Sequence, residues 1–155
     1  MTLLFETPSR SIPITKQMVW DAYRKVKSNK GSAGVDEETL IDFDVNLSKN
    51  LYKLWNRLSS GSYFPQPVKA VEIPKGNGGT RTLGIPTIAD RIAQEVVKSY
   101  IEPRLEAVFV PSSYGYRPHK SAHDAIEQVR TNVRNYGWVI DMDIKSFFDE
   151  VDHDL

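Results

Sequence analysis

Cysteine is absent from the 155 residues. That excludes a disulfide scaffold, a cysteine-ligated zinc finger and an iron–sulfur site, and it fits a reducing, cytoplasmic compartment. Long apolar runs are also missing: none approaches the ~20 residues that cross a bilayer, so no membrane partner is expected. The start, Met1 to Arg10, holds an acid at Glu6 and lacks the apolar stretch of a signal peptide. Internal repeats and low-complexity tracts are absent as well. Net charge is zero, from 20 bases and 20 acids.

That zero conceals a segregation. Residues 136–155 hold six acids (Asp141, Asp143, Asp149, Glu150, Asp152, Asp154) and one base, Lys145, so residues 1–135 carry a net +5. A basic body beside an acidic end suggests a polyanion-facing surface next to a cation-binding spot. With 40% apolar residues the chain has material for one ordinary core.

Along the chain, residues 1–14 carry Pro8 and Pro13 without periodicity and read as an extended arm. Thr15 is a fair N-cap with Ile14 before it as a staple, and Met18, Val19, Ala22, Tyr23 and Val26 form a helical stripe that stops before Gly31. Lys30 to Asp36 is a loop with two glycines. Leu47, Leu51, Leu54, Trp55 and Leu58 mark a second helix, closed by Gly61. Val68–Pro74 and Thr80–Ile85 around Gly76-Asn77-Gly78-Gly79 give a hairpin signal. From Thr87 to Tyr100, Ile88, Ala89, Ile92, Ala93, Val96, Val97 and Tyr100 share one side of a helix, and Asp90, Arg91, Gln94, Glu95 and Lys98 the other. Pro103 predicts a kink or break. Ser121 caps a further helix with Ala122, Ala125, Ile126, Val129 and Val133 on its apolar face. Trp138 to Ile144 alternates as a strand, with Trp138, Ile140, Met142 and Ile144 on a face that must pack on helices. Asp154 stands where a helix cap is expected and no helix follows, which points to a piece of a longer protein.

Two patterns carry chemistry. Asp141 and Asp143, two apart on a strand, would share a face with about 6.6 Å between them. Hard oxygen ligands beside a cleft suit Mg²⁺, and the same pattern suits an edge strand with a wet acidic face. Lys75-Gly76-Asn77-Gly78-Gly79-Thr80-Arg81 sets two cations around a glycine turn, suited to phosphate or to a plain solvated tip. It is neither a Walker loop nor a dinucleotide fingerprint. His119, His123 and His153 have no metal-ligand spacing.

Taken together, these blocks resemble a known family. Ile73-Pro74-Lys75, Gly79-Thr80-Arg81-Thr82-Leu83-Gly84-Ile85-Pro86, Asp90-Arg91 and Gln94 resemble the fingers of group II intron reverse transcriptases (maturases). Tyr114-Gly115-Tyr116-Arg117-Pro118 with Ser121-Ala122-His123-Asp124-Ala125 is similar to the family's next block. The run from Asp143-Ile144-Lys145-Ser146-Phe147-Phe148-Asp149 to His153 is similar to the block bearing its first catalytic aspartate, and Lys30–Asp36 to its N-terminal extension. The likeness runs from about residue 15 to the end.

The resemblance implies an α+β fold: mostly helical fingers at 15–137 with a β-hairpin, joined at 138–155 to the first strand of a palm sheet. It implies RNA-directed DNA synthesis by a retroelement enzyme, with intron or template RNA, a DNA primer and dNTPs as partners and Mg²⁺ as cofactor. Asp143 would be catalytic and a metal ligand, with Ile144 adding its carbonyl and Asp141 standing behind them. Lys75 and Arg81 would grip the triphosphate, and Phe147 would lie under the incoming sugar and exclude a 2′-hydroxyl. Arg91, Gln94, Lys98 and Arg117 would face nucleic acid. The family's Tyr-x-Asp-Asp turn would lie beyond Leu155, so this stretch alone would not polymerise, and uncovered palm faces leave a homodimer open. Two rival readings are a non-enzymatic RNA-binding or dimerising module and a retron-type or CRISPR-associated reverse transcriptase.

Overall fold

The computed structural model describes residues 12–144 except Asn77, together with Phe147, Glu150 and Asp152. The expected arm therefore lies almost wholly outside the described residues, as do Lys145, Ser146, Phe148, Asp149, Val151 and residues 153–155. Five helices and one hairpin make up the described elements: α1 (Lys16–Ser28), α2 (Leu40–Val45), α3 (Leu47–Ser59), β1 (Lys69–Pro74), β2 (Thr80–Ile85), α4 (Ile88–Glu106) and α5 (Ala122–Val133). The class is α+β, with one antiparallel two-stranded sheet. The chain divides into two compact units, Met1–Leu105 and Glu106–Leu155.

The first unit holds the core. Val19, Ala22, Tyr23 and Val26 from α1 meet Phe43 from α2, Leu54 from α3 and Ile88, Ile92, Ala93 and Val96 from α4. Thr15 caps α1 by accepting from the Met18 N–H. The indole Nε1 of Trp55 donates to the Ile14 carbonyl at 3.0 Å, fixing the entry to α1 against α3. Across the top, Lys25 pairs with Glu95 at 2.8 Å and joins α1 to α4. Helix α2 has no counterpart in the sequence reading. Six residues are too few to display a period, and a reciprocal Thr39–Asp42 capping box starts it.

Of the kink or break expected at Pro103 the break does not occur, and the strand expected at 138–144 does not form. Helix α4 does not break at Pro103 but runs through it to Glu106; Pro103 sits in its last turns, where losing one N–H costs little continuity. Residues 138–144 form no strand, and Trp138, Ile140, Met142 and Ile144 are exposed rather than packed on helices. A strand is defined by pairing with a neighbour, and no strand pairs with this segment among the described residues, so its exposed backbone is left to solvent.

The second unit is arranged around polar contacts. Ser121 and Asp124 form a capping box at the start of α5. The apolar face of α5 predicted from sequence is present but uncovered: Ile126, Val129 and Val133 are each more than half exposed.

Candidate nucleotide and nucleic-acid site

The hairpin is built by alternation. Its register pairs Val71 with Leu83, Ile73 with Arg81 and Pro74 with Thr80. Paired residues share a face, so Val71, Ile73, Leu83 and Arg81 lie on one side and Glu72, Thr80 and Thr82 on the other. Lys75 follows Ile73 by two and continues the apolar side at the tip. The tip is closed by the Lys75 N–H donating to Gly79 O at 2.6 Å and the Gly78 N–H donating to Lys75 O at 3.1 Å, with Gly78 at φ +88°. Both cations are exposed. The arrangement is a short apolar floor ending in two positive charges, with three glycines in the stretch between them. Such a surface accepts a flat apolar group along the strands and anionic oxygens at the tip.

The base of the hairpin is fastened to the first turn of α4. Asp90 is 3% exposed, although the helical wheel puts it on the polar side. It is covered because the segment Tyr63–Pro67 crosses over this turn. The Tyr63 hydroxyl donates to Asp90 Oδ1 at 2.5 Å, while Thr87 Oγ1 and the Gln66 N–H donate to Oδ2 at 2.6 and 3.3 Å. Burial, then the carboxylate beside it, push the Tyr63 hydroxyl pKa up, so it remains a donor.

Arg91 is placed differently from an open template contact. Its Nη2 donates to the Ser32 carbonyl, and its Nε is buried without a partner. It lies over Gly31, where an added Cβ would come within 2.1 Å of Nη1. At Gly34 the neighbour is main chain rather than a side-chain end: a Cβ there would meet the Thr87 backbone at 2.7 Å. The glycine loop is thus laid directly on the start of α4. Of the polar side predicted for α4, Gln94 and Lys98 remain exposed, and Lys98 has only a long 3.7 Å pairing with Glu102.

In the second unit Arg117 is the organiser of the 107–120 loop. Its guanidinium bonds the Glu106 carboxylate at 2.9–3.2 Å and the carbonyls of Val110 and Ser113 at 2.8 and 2.9 Å. The arginine holds the Glu106 carboxyl below the usual range. Beside this loop Tyr116 is fully exposed at φ +56°. Asp141, Asp143 and Ile144 are exposed on the unpaired segment, and Phe147 is half exposed. Among the described residues no three His, Asp or Glu side chains converge as a metal site.

Of the residues singled out from sequence, the structure brings Lys75 and Arg81 onto one hairpin face and Gln94 and Lys98 onto one helix face, all in the first unit. Arg117, Asp143, Ile144 and Phe147 belong to the second. The sequence reading missed Asp90, Tyr63 and Thr87 as a cluster. The one available signal was Thr87-x-x-Asp90, an N-terminal capping pattern.

The model of the reverse transcriptase (RNA-dependent DNA polymerase) family matches residues 73–155, from the hairpin to the acidic end. With that span covering more than half of the sequence, the chain belongs to the reverse transcriptase family. Within the family it is similar to group II intron proteins. It is 36% identical over 135 residues to the group II intron-encoded protein LtrA of Lactococcus lactis, covering 85% of this chain and 22% of that protein. It is 39% identical over 155 residues to protein YkfC of Escherichia coli, covering 94% of this chain and 41% of that protein. It is also 36% identical over 70 residues to nuclear intron maturase 1 of Arabidopsis thaliana, covering 45% of this chain and 10% of that protein. The chain thus spans less than half the length of these relatives. None of the helices among the described residues is long and apolar enough to cross a membrane.

Proposed function

We propose that this chain supplies the nucleotide- and template-binding part of an RNA-directed DNA polymerase of the group II intron type. The observation that carries the reading is the hairpin: Lys75 and Arg81 stand at the glycine tip of one apolar face. An incoming dNTP offers the matching chemistry, a flat base and sugar followed by a triphosphate. Two cations neutralise that charge, and the guanidinium of Arg81 provides a fork of donors to phosphate oxygens. The exposed Gln94 and Lys98 on α4 suit the backbone of a template strand: Lys98 answers a phosphate and Gln94 offers an amide. Arg91 serves that surface indirectly, by holding the loop at 31–34, and Arg117 holds the 107–120 loop of the second unit. Phe147 would lie under the sugar, where a flat ring leaves no room for a 2′-hydroxyl.

Chain extension is phosphoryl transfer, in which a primer 3′-hydroxyl attacks the α-phosphate and pyrophosphate leaves. Divalent metal suits the family's chemistry, and Mg²⁺ is the ion proposed here; when bound it stabilises the attacking and leaving oxygens. Asp143, with the Ile144 carbonyl, would hold it together with carboxylates from the remainder of the polymerase. The intron-encoded relatives favour this reading over a retron-type or CRISPR-associated enzyme and over a non-catalytic RNA-binding module. The test is primer extension on an RNA template by the full-length protein. DNA synthesis that Asp143→Asn abolishes while RNA binding persists supports the reading. Synthesis by Asp143→Asn within tenfold of the wild type contradicts it.

A further inference from the structure

Among the described residues Asp90 is the one charged side chain buried in the core. No ion pair of the described residues includes it. A carboxylate in that position is costly unless its oxygens are fully bonded. They are, by three donors from three different places: Tyr63, the Gln66 backbone and Thr87. Its own N–H returns a bond to Thr87 Oγ1 at 3.1 Å. The placement of those donors is informative. Gln66 precedes the first residue of β1 by three, and Thr87 follows the last residue of β2 by two. One carboxylate therefore holds the chain on its way into the hairpin and on its way out.

We propose that Asp90 is the positioning residue of the hairpin: it closes the base of the two strands and so fixes where Lys75 and Arg81 meet the triphosphate. This rests on the triphosphate reading given above. An isolated two-stranded hairpin is marginal in water, and most residues of β1 and β2 are exposed. Its geometry must therefore be imposed from its ends. A carboxylate suits the task because it only accepts. An asparagine of the same shape would turn an amide N–H₂ toward at least one of the three donors. Tyr63 extends the clasp, since its ring and hydroxyl tie the turn after α3 to the same point. Binding energy at a reacting centre depends on such placement, because a small displacement of a gripping group is felt directly in substrate affinity.

The experiment compares Asp90→Asn and Tyr63→Phe with the wild type in two measurements on the full-length protein. Hydrogen exchange should show amides of residues 66–86 losing protection by about tenfold in Asp90→Asn, with α1 and α3 unchanged. Steady-state primer extension should show KM for dNTPs raised by about fivefold, with kcat and the KM for template–primer nearly unchanged. Tyr63→Phe, which removes one donor and keeps the ring, should move both readouts in the same direction by less; it carries the test alone if Asp90→Asn does not fold. Protection lost evenly across α1, α3 and the hairpin overturns the proposal, as does a hairpin protected as in the wild type. A dNTP KM that moves no more than the template–primer KM overturns it too, provided that Arg81→Ala raises the dNTP KM. If Arg81→Ala leaves that KM unchanged, the triphosphate reading fails, and the exchange pattern still decides the clasp.

Discussion

The two glycines of the 30–36 loop separate a tolerant position from an intolerant one. An added Cβ at Gly34 meets backbone atoms of Thr87 and Pro86 at 2.7–2.9 Å, which cannot move without shifting the start of α4. Gly34→Ala should cost about 1–3 kcal/mol, the usual size of overpacking in a tight contact, measured as a lowered urea midpoint at constant slope. At Gly31 the obstacle is the end of the Arg91 side chain, which can swing aside, so Gly31→Ala should cost clearly less. Equal losses at the two positions would contradict the close docking of the loop. Residue identity was a good guide where it reflected backbone chemistry. Thr15 and Ser121 both cap the helices they were expected to cap. It was a poor guide to Asp90 and Arg91. An acid and a base on the polar side of a helix look solvated until a distant segment is known to cross over them, and that crossing is a tertiary fact.

At the scale of elements, α1, α3, the hairpin, the start of α4 and α5 were legible because each shows a period or turn chemistry within its own residues. Helix α2 was too short to show one. At the end of α4 only the break, one of the two effects expected of Pro103, fails to occur, because proline is a local signal whereas continuity in the last turns depends on the surrounding helix. Residues 138–144 carry the alternation of a strand, but alternation describes a surface and not a partner. The 107–120 loop yields a pH prediction. The folded-state pKa of Glu106 is depressed, first by its hydrogen bonds from Arg117. Its contribution is therefore present at neutral pH and is lost as pH falls through and below the ordinary glutamate range, where the unfolded chain takes up the proton first. Amide protection in residues 107–120 should drop on acidification from pH 6 to about pH 4, and Arg117→Gln should remove that dependence. A loop equally protected at both values would contradict the assignment.

For the whole molecule, the charge boundary read from sequence at 135/136 does not coincide with the division into units at 105/106, yet the units still differ in sign. Met1–Leu105 holds fifteen bases and eleven acids, and Glu106–Leu155 holds five bases and nine acids, so the units carry net charges of +4 and −4. RNA should favour the first unit. Each phosphate contact on a single strand contributes a salt slope of roughly 0.7. Lys98→Ala should lower the slope by about that amount without changing the melting temperature, whereas Arg91→Ala should lower the melting temperature because it frees the glycine loop. A salt slope unchanged in Lys98→Ala would mean that this face of α4 is merely solvated. The hairpin tip carries the proposed function, and its most direct test is the steady-state KM for dNTPs of Arg81→Ala in the full-length polymerase, read against the KM for template–primer. Charge-assisted contacts contribute roughly 1.5–3 kcal/mol. The account predicts a dNTP KM raised about tenfold or more, with little change for template–primer; a dNTP KM equal to that of the wild type would contradict it.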